Sequence, residues 1–281
     1  EKDYLKEEDI ICQRPGPGIG LPRYLVNHDL LPFWKSFFEA LGLPLSISPP
    51  THTKLVQAGI EKLTNEPCFP VKVAHGHALD LLKRDVDFLF LPSLITMEQD
   101  DPRQNRNFLC PYVQTIPYTL RSALGLKDHQ FLRPVLHFDR GIDSVAKELG
   151  SLAGKLNRSE GEIHRAALRA YESLNSFRSE LKERGEQILE HGNGGLGRLV
   201  VLVGRAYNTC DPGLNLDLPK KLRNLGVCPI PLDMLPLEDI DIADDFPNMY
   251  WKYGQRILKA AQLIRRNPRL SAIYLTNFSC G

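Results

Sequence analysis

Cys68 stands in the run Glu66-Pro67-Cys68-Phe69-Pro70, where a loop enters an expected helix. Pro70 suits the first turn, because the backbone N–H it lacks is unpaired there in any residue. A thiol at a helix start feels that end's partial positive charge, which favours thiolate, the form that binds metals and attacks electrophiles. Five more cysteines, at 12, 110, 210, 228 and 280, are spread widely, with no C-x-x-C pair and no dense disulfide framework. Cys110 follows a long polar connection, and Cys280 lies just past an apolar run that reads as a strand. Ligands of open parallel sheets bind beyond the carboxyl ends of the strands. Cys68, Cys110 and Cys280 can therefore reach sheet edges that face one cleft. Three thiolates meeting there would hold zinc or an iron–sulfur cluster and leave one position open for chemistry. Their spacing, C-x41-C-x169-C, matches no local metal motif, and a buried inert thiol is the plain alternative for each.

Other residue types could assist such a site. His75 and His77 lie two apart on the expected Cys68 helix, so they point to different faces and cannot chelate one ion as an i, i+4 pair would. Each is a structural histidine, or one faces the cleft as a proton donor or as a hydrogen-bond donor to sulfur. Arg23, Arg205, Tyr207 and Asn208 read as loop residues that could meet an anionic substrate, and Asp211-Pro212-Gly213 reads as a turn. The run Pro15-Gly16-Pro17-Gly18-Ile19-Gly20-Leu21-Pro22-Arg23 is not a dinucleotide fingerprint. Its prolines remove N–H groups and no clear strand precedes it, so it too reads as a turn.

The elements that must position these residues alternate between strand and helix. Apolar spacing predicts a helix from Leu30 to Leu41 stopped by Gly42, a short strand from Leu43 to Ser48, and a helix from Thr51 to Leu63. The Cys68 helix is expected to run to about Arg84, before a buried strand from Val86 to Leu91 closed by Pro92. The polar stretch from Glu98 to Asn107 is long for a connection inside a compact domain, which points to function. A helix from Val113 to Leu124 and a strand from Pro134 to Phe138 follow. Residues 143–191 form a charged helical segment in which Ser159 and Glu162 make a capping box and Ile163, Ala167, Ala170, Leu174, Phe177 and Leu181 form one apolar stripe. A second α/β unit has strands Leu199 to Gly204, Val227 to Pro231 and Leu270 to Thr276, with helices from Leu218 to Leu225 and from Tyr250 to Arg266. The alternation implies parallel sheets with helices on both faces. The expected division is an N-terminal arm at 1–17, a first α/β unit at 18–142, a helical connector at 143–194 and a second unit at 195–281.

Composition narrows the function classes. Net charge is +1, which gives no electrostatic reason for a nucleic-acid or anionic-membrane partner. No apolar run approaches the roughly 20 residues of a membrane span, and the charged start is no secretory leader. A reducing cytoplasm is the expected setting. The chain begins without Met and ends soon after a third strand, which leads to the expectation of a fragment of a longer protein.

Several runs together carry a resemblance. They are Gly20-Leu21-Pro22-Arg23, Phe33-Trp34 with Phe37-Phe38, Cys68-Phe69-Pro70 with His75-Gly76-His77, Cys110-Pro111-Tyr112, Gly204-Arg205-Ala206-Tyr207-Asn208 with Asp211-Pro212-Gly213, and Asn277-Phe278-Ser279-Cys280-Gly281. In this order they resemble the 2-hydroxyacyl-CoA dehydratase-related proteins, often called CoA-substrate-specific enzyme activase-related, across residues 18–281. The resemblance implies two Rossmann-like three-layer units and a [4Fe–4S] or double-cubane cluster in the cleft between them. It also implies anaerobic metabolism, with low-potential electrons delivered by an ATP-hydrolysing activase or reductase module, separate or fused, to an acyl-CoA or other small molecule. Cys68, Cys110 and Cys280 occupy the matching cysteine positions; Cys210 does not, and Cys12 and Cys228 have no motif around them. The expected activity is that of a reductase or a dehydratase-like lyase, with a homodimer as a possible assembly. Oxygen destroys exposed clusters, so a chain isolated in air is expected to lose it. Two other readings stand beside this one: a non-catalytic module that docks an activase partner, and a structural zinc site tying the units together.

Overall fold

The computed structural model describes residues 16–63, 65–104, 106–191 and 198–277. The first unit is built on β1 (Ile19–Leu21), α1 (Leu31–Ala40), β2 (Leu45–Ile47), α2 (Thr53–Ile60), α3 (Phe69–Leu82), β3 (Phe88–Phe90), β4 (Ser93–Thr96), α4 (Pro111–Leu124), β5 (Phe131–Leu132) and β6 (Val135–His137). Its main sheet has the order β2-β1-β3-β5, parallel throughout. The central strand β1 lies inside the proline- and glycine-rich run read from sequence as a turn. It is three residues long and buried throughout, so it offers no alternation to detect.

Proline shapes the other half of this sheet. β3 does not end at Pro92 but resumes as β4, and β5 resumes as β6 beyond Pro134. The pairs Leu89↔Phe131, Phe90↔Leu132 and Ser93↔Val135 keep one register across the break. Leu91 N–H donates to Leu132 O at 2.8 Å and Ser93 N–H to Pro134 O at 2.8 Å, so the ladder continues past two residues that cannot donate.

The 143–191 segment is three helices, α5 (Ile142–Gly150), α6 (Ala153–Leu156) and α7 (Glu160–His191). Ser159 N–H donates to Glu162 Oε2 at 2.9 Å and Glu162 N–H donates to Ser159 Oγ at 3.2 Å, completing the capping box. Val145, Leu149, Ile163, Ala167, Ala170 and Leu174 are buried in the first unit's core, while Ile188 and Leu189 belong to the second core. One helix of 32 residues, about 48 Å long, thus spans both. The first core is centred on aromatic rings from α1: Trp34 and Phe38 each meet Phe90 edge-on, at 4.7 and 5.1 Å between centroids. Gly42, at φ 65°, ends α1, with Leu43 N–H reaching back to Phe38 O at 3.0 Å. α2 and α3 touch through Gly59 and Gly76: a Cβ on Gly76 would lie 2.1 Å from Leu55 O.

The second unit comprises β7 (Leu199–Gly204), α8 (Ala206–Cys210), α9 (Pro212–Asn215), α10 (Leu218–Asn224), β8 (Cys228–Pro231), α11 (Lys252–Arg266) and β9 (Leu270–Leu275). Its parallel sheet has the order β8-β7-β9, which repeats the winding β2-β1-β3 of the first. The chain is thus an α/β protein of two Rossmann-like three-layer units with parallel sheets. Among the described residues no helix is long and apolar enough to cross a membrane.

The long polar connection expected to serve function docks the second unit. Lys252 Nζ donates to Glu98 O at 2.6 Å and pairs with Asp100 at 2.7 Å, and Gln255 Nε2 donates to Arg106 O at 2.9 Å. Beneath it Tyr253 donates its hydroxyl to Asp29, and Arg256 pairs with Asp233 at 2.8 Å. Burial first, and the neighbouring Asp233 second, push the Asp29 carboxyl up to about 6.

Candidate functional site

In each sheet the winding direction reverses beside the first strand, between β1 and β3 and between β7 and β9. Crevices that bind ligands open at such places, beyond the carboxyl ends. A cleft in the second unit is lined by Gly204 and Arg205 after β7 and by Thr276 and Asn277 after β9. Cys68 and Pro70 from the first unit line the same cleft, so the Cys68 helix start faces the second sheet's reversal point.

Cys68 is the N-cap of α3 and Cys110 the N-cap of α4, each with proline in the first helical turn. The two helices pack on each other, and both thiols are half-buried. Each cysteine carbonyl takes two first-turn N–H bonds: Cys68 O from Val71 and Lys72, Cys110 O from Val113 and Gln114. Both sulfurs therefore stand at the positively polarised starts of two packed helices.

Tyr207 lines the cleft together with Cys68. It lies in α8, not in a loop as its sequence context suggests, because Asn208 and Thr209 N–H both return to Arg205 O, at 2.8 and 3.1 Å. Its side chain is 4% exposed, and its hydroxyl accepts a hydrogen bond from Arg205 Nη1 at 2.9 Å. Burial is the main reason its hydroxyl is held above the ordinary range. Arg205 opposes that. Asn208 is also helical and buried. Its Oδ1 accepts from Asn277 Nδ2 at 2.5 Å, joining α8 to the end of β9.

A second constellation crosses from unit to unit. Arg23 N–H donates to Ser48 Oγ at 2.7 Å, Ser48 Oγ lies 2.8 Å from His77 Nδ1, His77 Nε2 lies 2.9 Å from Thr51 Oγ1, and Thr51 donates to Asp211 Oδ2 at 2.5 Å. The acceptor at one end and the backbone donor at the other fix every proton. Thr51 gives its hydrogen to Asp211, so it accepts from His77 Nε2–H, and His77 Nδ1 accepts from Ser48. Burial pushes His77 down to about 3, outweighing the Asp211 carboxylate, so the ring stays neutral as this chain of bonds requires. Asp211 is held below its usual range: burial works against its charge, but His28, 3.5 Å away, and the Thr51 hydroxyl outweigh burial. Asp211 also caps α9, accepting Gly213 N–H at 2.8 Å. The expected turn at Asp211 is therefore a helix start tied to the other unit.

The expected site residues thus separate into groups. Cys68, Arg205, Tyr207 and Asn208 come together around the cleft, and Cys110 caps the neighbouring helix α4. Arg23 and His77 belong to the neighbouring chain of hydrogen bonds. His75 is buried on another face of α3, donating Nδ1–H to Val71 O at 2.8 Å, and burial lowers its pKa. Cys228 is buried in the second core and Cys210 is exposed. Cys280 and Cys12 lie outside the described residues, as does the expected hinge at Asn193 to Gly197. Among the described residues no three His, Cys, Asp or Glu side chains are arranged to hold a metal ion. Ser48, Thr51, His28 and Asn277 were not singled out individually from sequence. Ser48 directly follows β2 and Asn277 closely follows β9, which is the signal that could have marked those two.

A family model described as "CoA enzyme activase uncharacterised domain" matches residues 18–235. The chain belongs to that family. No curated protein and no solved structure matches it. The family match takes in Cys68, Cys110, Arg205, Tyr207, Asn208 and the whole hydrogen-bond chain from Arg23 to Asp211. The closing wall of the cleft, at Thr276 and Asn277, lies beyond it.

Proposed function

We propose that the chain is the iron–sulfur cluster-binding module of an ATP-dependent, low-potential reductase or 2-hydroxyacyl-CoA dehydratase-like system, with Cys68, Cys110 and Cys280 as cluster ligands. The observation that carries this reading is the pair of thiols capping the packed helices α3 and α4, with Cys68 lining a cleft that it shares with buried Tyr207 of the second unit. The donors toward a cluster are two cysteines at positively polarised ends of packed helices, of which Cys68 lines the cleft between the units. Asn277 already lines that cleft, and at about 3.5 Å per residue the three residues to Cys280 span about 10 Å.

The cluster would supply one-electron chemistry at low potential, which no side chain can store. The protein's own part is binding and shielding. α3 and α4 present the thiols, Tyr207 and Asn208 close the floor against water, and Arg205 places a positive charge beside an anionic occupant. An acyl-CoA or another small electron acceptor is the proposed substrate class, and an ATP-hydrolysing activase the proposed partner; the family description points to both. Anaerobic reconstitution with iron and sulfide tests the proposal. Wild type is expected to take up iron, and Cys68→Ala and Cys110→Ala to lose most of it. No uptake, or uptake indifferent to both substitutions, overturns the reading. One equivalent of zinc with no redox signal would instead identify the structural-zinc alternative.

A further inference from the structure

We propose that the outer edge of β9 is an interface between two copies of this chain, which join antiparallel about a twofold axis through Ile273 so that their second-unit sheets become one. The argument begins with a contrast among the sheet edges. An edge strand offers a row of unpaired N–H and C=O groups, and folded chains guard such rows with proline, charge or brevity. β2 has three residues between Pro44 and Pro49-Pro50, β5 and β6 are separated by exposed Arg133 and by Pro134, and β8 carries Pro229 and Pro231. β9 is outermost in the order β8-β7-β9, and among the described residues no strand pairs with its free side. Its six residues, Leu270-Ser271-Ala272-Ile273-Tyr274-Leu275, include no proline, glycine or charge, and they pair with β7 without a bulge. Nothing blunts this edge. β7 beside it is buried throughout, whereas β9 leaves Ala272 and Tyr274 exposed, Tyr274 by 46%.

The sequence of β9 fits its own copy. Facing residues of an antiparallel pair lie on the same side of the sheet, so the twofold axis must pass through a residue that faces itself. Through Ile273, the axis sets Tyr274 opposite the partner's Ala272 and Leu275 opposite the partner's Ser271. Large then meets small on both sides of the sheet, and each exposed tyrosine ring covers an exposed alanine. Moving the axis to Ala272 loses this match, because Tyr274 then meets Leu270 and Leu275 meets Arg269. Charge agrees with the antiparallel direction. Arg265, Arg266 and Arg269 are exposed near the start of β9. The twofold sends the two cationic clusters to opposite ends, with Arg269 facing Asn277, whereas parallel strands in register would bring like charges together.

The pairing bears on the cleft without resting on the cluster reading. Tyr274, Leu275 and Thr276 line the cleft beside Cys68. The partner's Ser271 and the partner's Leu270 come opposite Leu275 and Thr276, so the second copy extends the rim at that end of the strand.

Sedimentation velocity from micromolar to near-millimolar protein tests the proposal. Wild type is expected to pass reversibly from one chain to two. Ala272→Lys puts a cation against the tyrosine at both places and should weaken dimerisation about tenfold. Adding Tyr274→Glu should restore most of it, because each lysine then faces a glutamate. Circular dichroism checks that both variants keep the fold. Ile273→Cys places two thiols opposite each other, where facing Cα atoms lie about 4.5–5.5 Å apart. It should give a 273–273 disulfide on mild oxidation, located by mass spectrometry. A wild type that stays monomeric throughout overturns the proposal and leaves the edge to a strand of another polypeptide. A dimer indifferent to Ala272→Lys, or cross-linked only through other cysteines, overturns it as well.

Discussion

Replacing Thr51 with valine keeps the branched shape and removes the one hydroxyl through which the two units share a proton-ordered chain. Thr51 Oγ1 sits 2.9 Å from His77 Nε2 and 2.5 Å from Asp211 Oδ2, and all three side chains are buried. The substitution strands an N–H on a neutral imidazole, at about 1–3 kcal/mol when left buried and unpaired, and leaves Asp211 Oδ2 with only His28, 3.5 Å away. Asp211 keeps the Gly213 and Leu214 N–H bonds on its other oxygen, which moderates the loss. A net destabilisation of about 3 kcal/mol is expected, about a hundredfold in the unfolding constant. Urea unfolding at pH 7 measures it: the midpoint should fall with the slope unchanged. Thr51→Ser retains the hydroxyl and should recover most of the difference. If Thr51→Val costs under about 0.5 kcal/mol, or serine is as damaging as valine, the chain of bonds does not hold the units as described.

The remaining predictions concern pH and packing. His77 titrates near 3 in the folded chain but at about 6.5 when unfolded, so the unfolded state binds the extra proton between those values; stability is lost as pH falls through that window, by at most about 1.4 kcal/mol per pH unit. His77→Gln should flatten that contribution, seen by comparing denaturation midpoints of the two proteins at pH 7 and pH 4.5. Asp29 runs the other way: its folded carboxyl is raised from 3.8 to about 6, so its contribution declines as pH rises through that interval. Asp29→Asn should therefore gain stability relative to wild type between pH 4 and pH 6.5 in the same denaturation series. Gly76→Ala would put a methyl 2.1 Å from Leu55 O and force α2 off α3; a loss of about 1–3 kcal/mol is expected by thermal or urea denaturation.

Much of the fold was readable because long apolar periods are unambiguous. The aromatic stripe of α1, the capping box of α7 and the run Leu199–Gly204 each specify one element. The failures share a cause in short, fully buried segments. β1 has three residues between Pro17-Gly18 and Pro22, and β4 hides behind Pro92, where proline normally ends a strand yet here only interrupts a ladder. Cys68 was recognisable as a helix-entry thiol because proline follows within the first turn, whereas Cys110 was read as part of the connection before a helix expected from Val113 and proves to cap α4 at Pro111. That Cys68 shares a cleft with Tyr207 was not readable from local pattern. It depends on two sheets facing one another, and nothing within any fifteen-residue window encodes that distance. The Asp211–Thr51 bond spans 160 positions and was invisible for the same reason.

Iron K-edge X-ray absorption on anaerobically reconstituted protein tests the central claim most directly, because it reports the atoms bound to the metal. A shell dominated by sulfur with an iron–iron vector, absent from the Cys68→Ala, Cys110→Ala double variant, is the predicted result. A nitrogen- and oxygen-dominated shell, or an unchanged sulfur shell in the double variant, would contradict it.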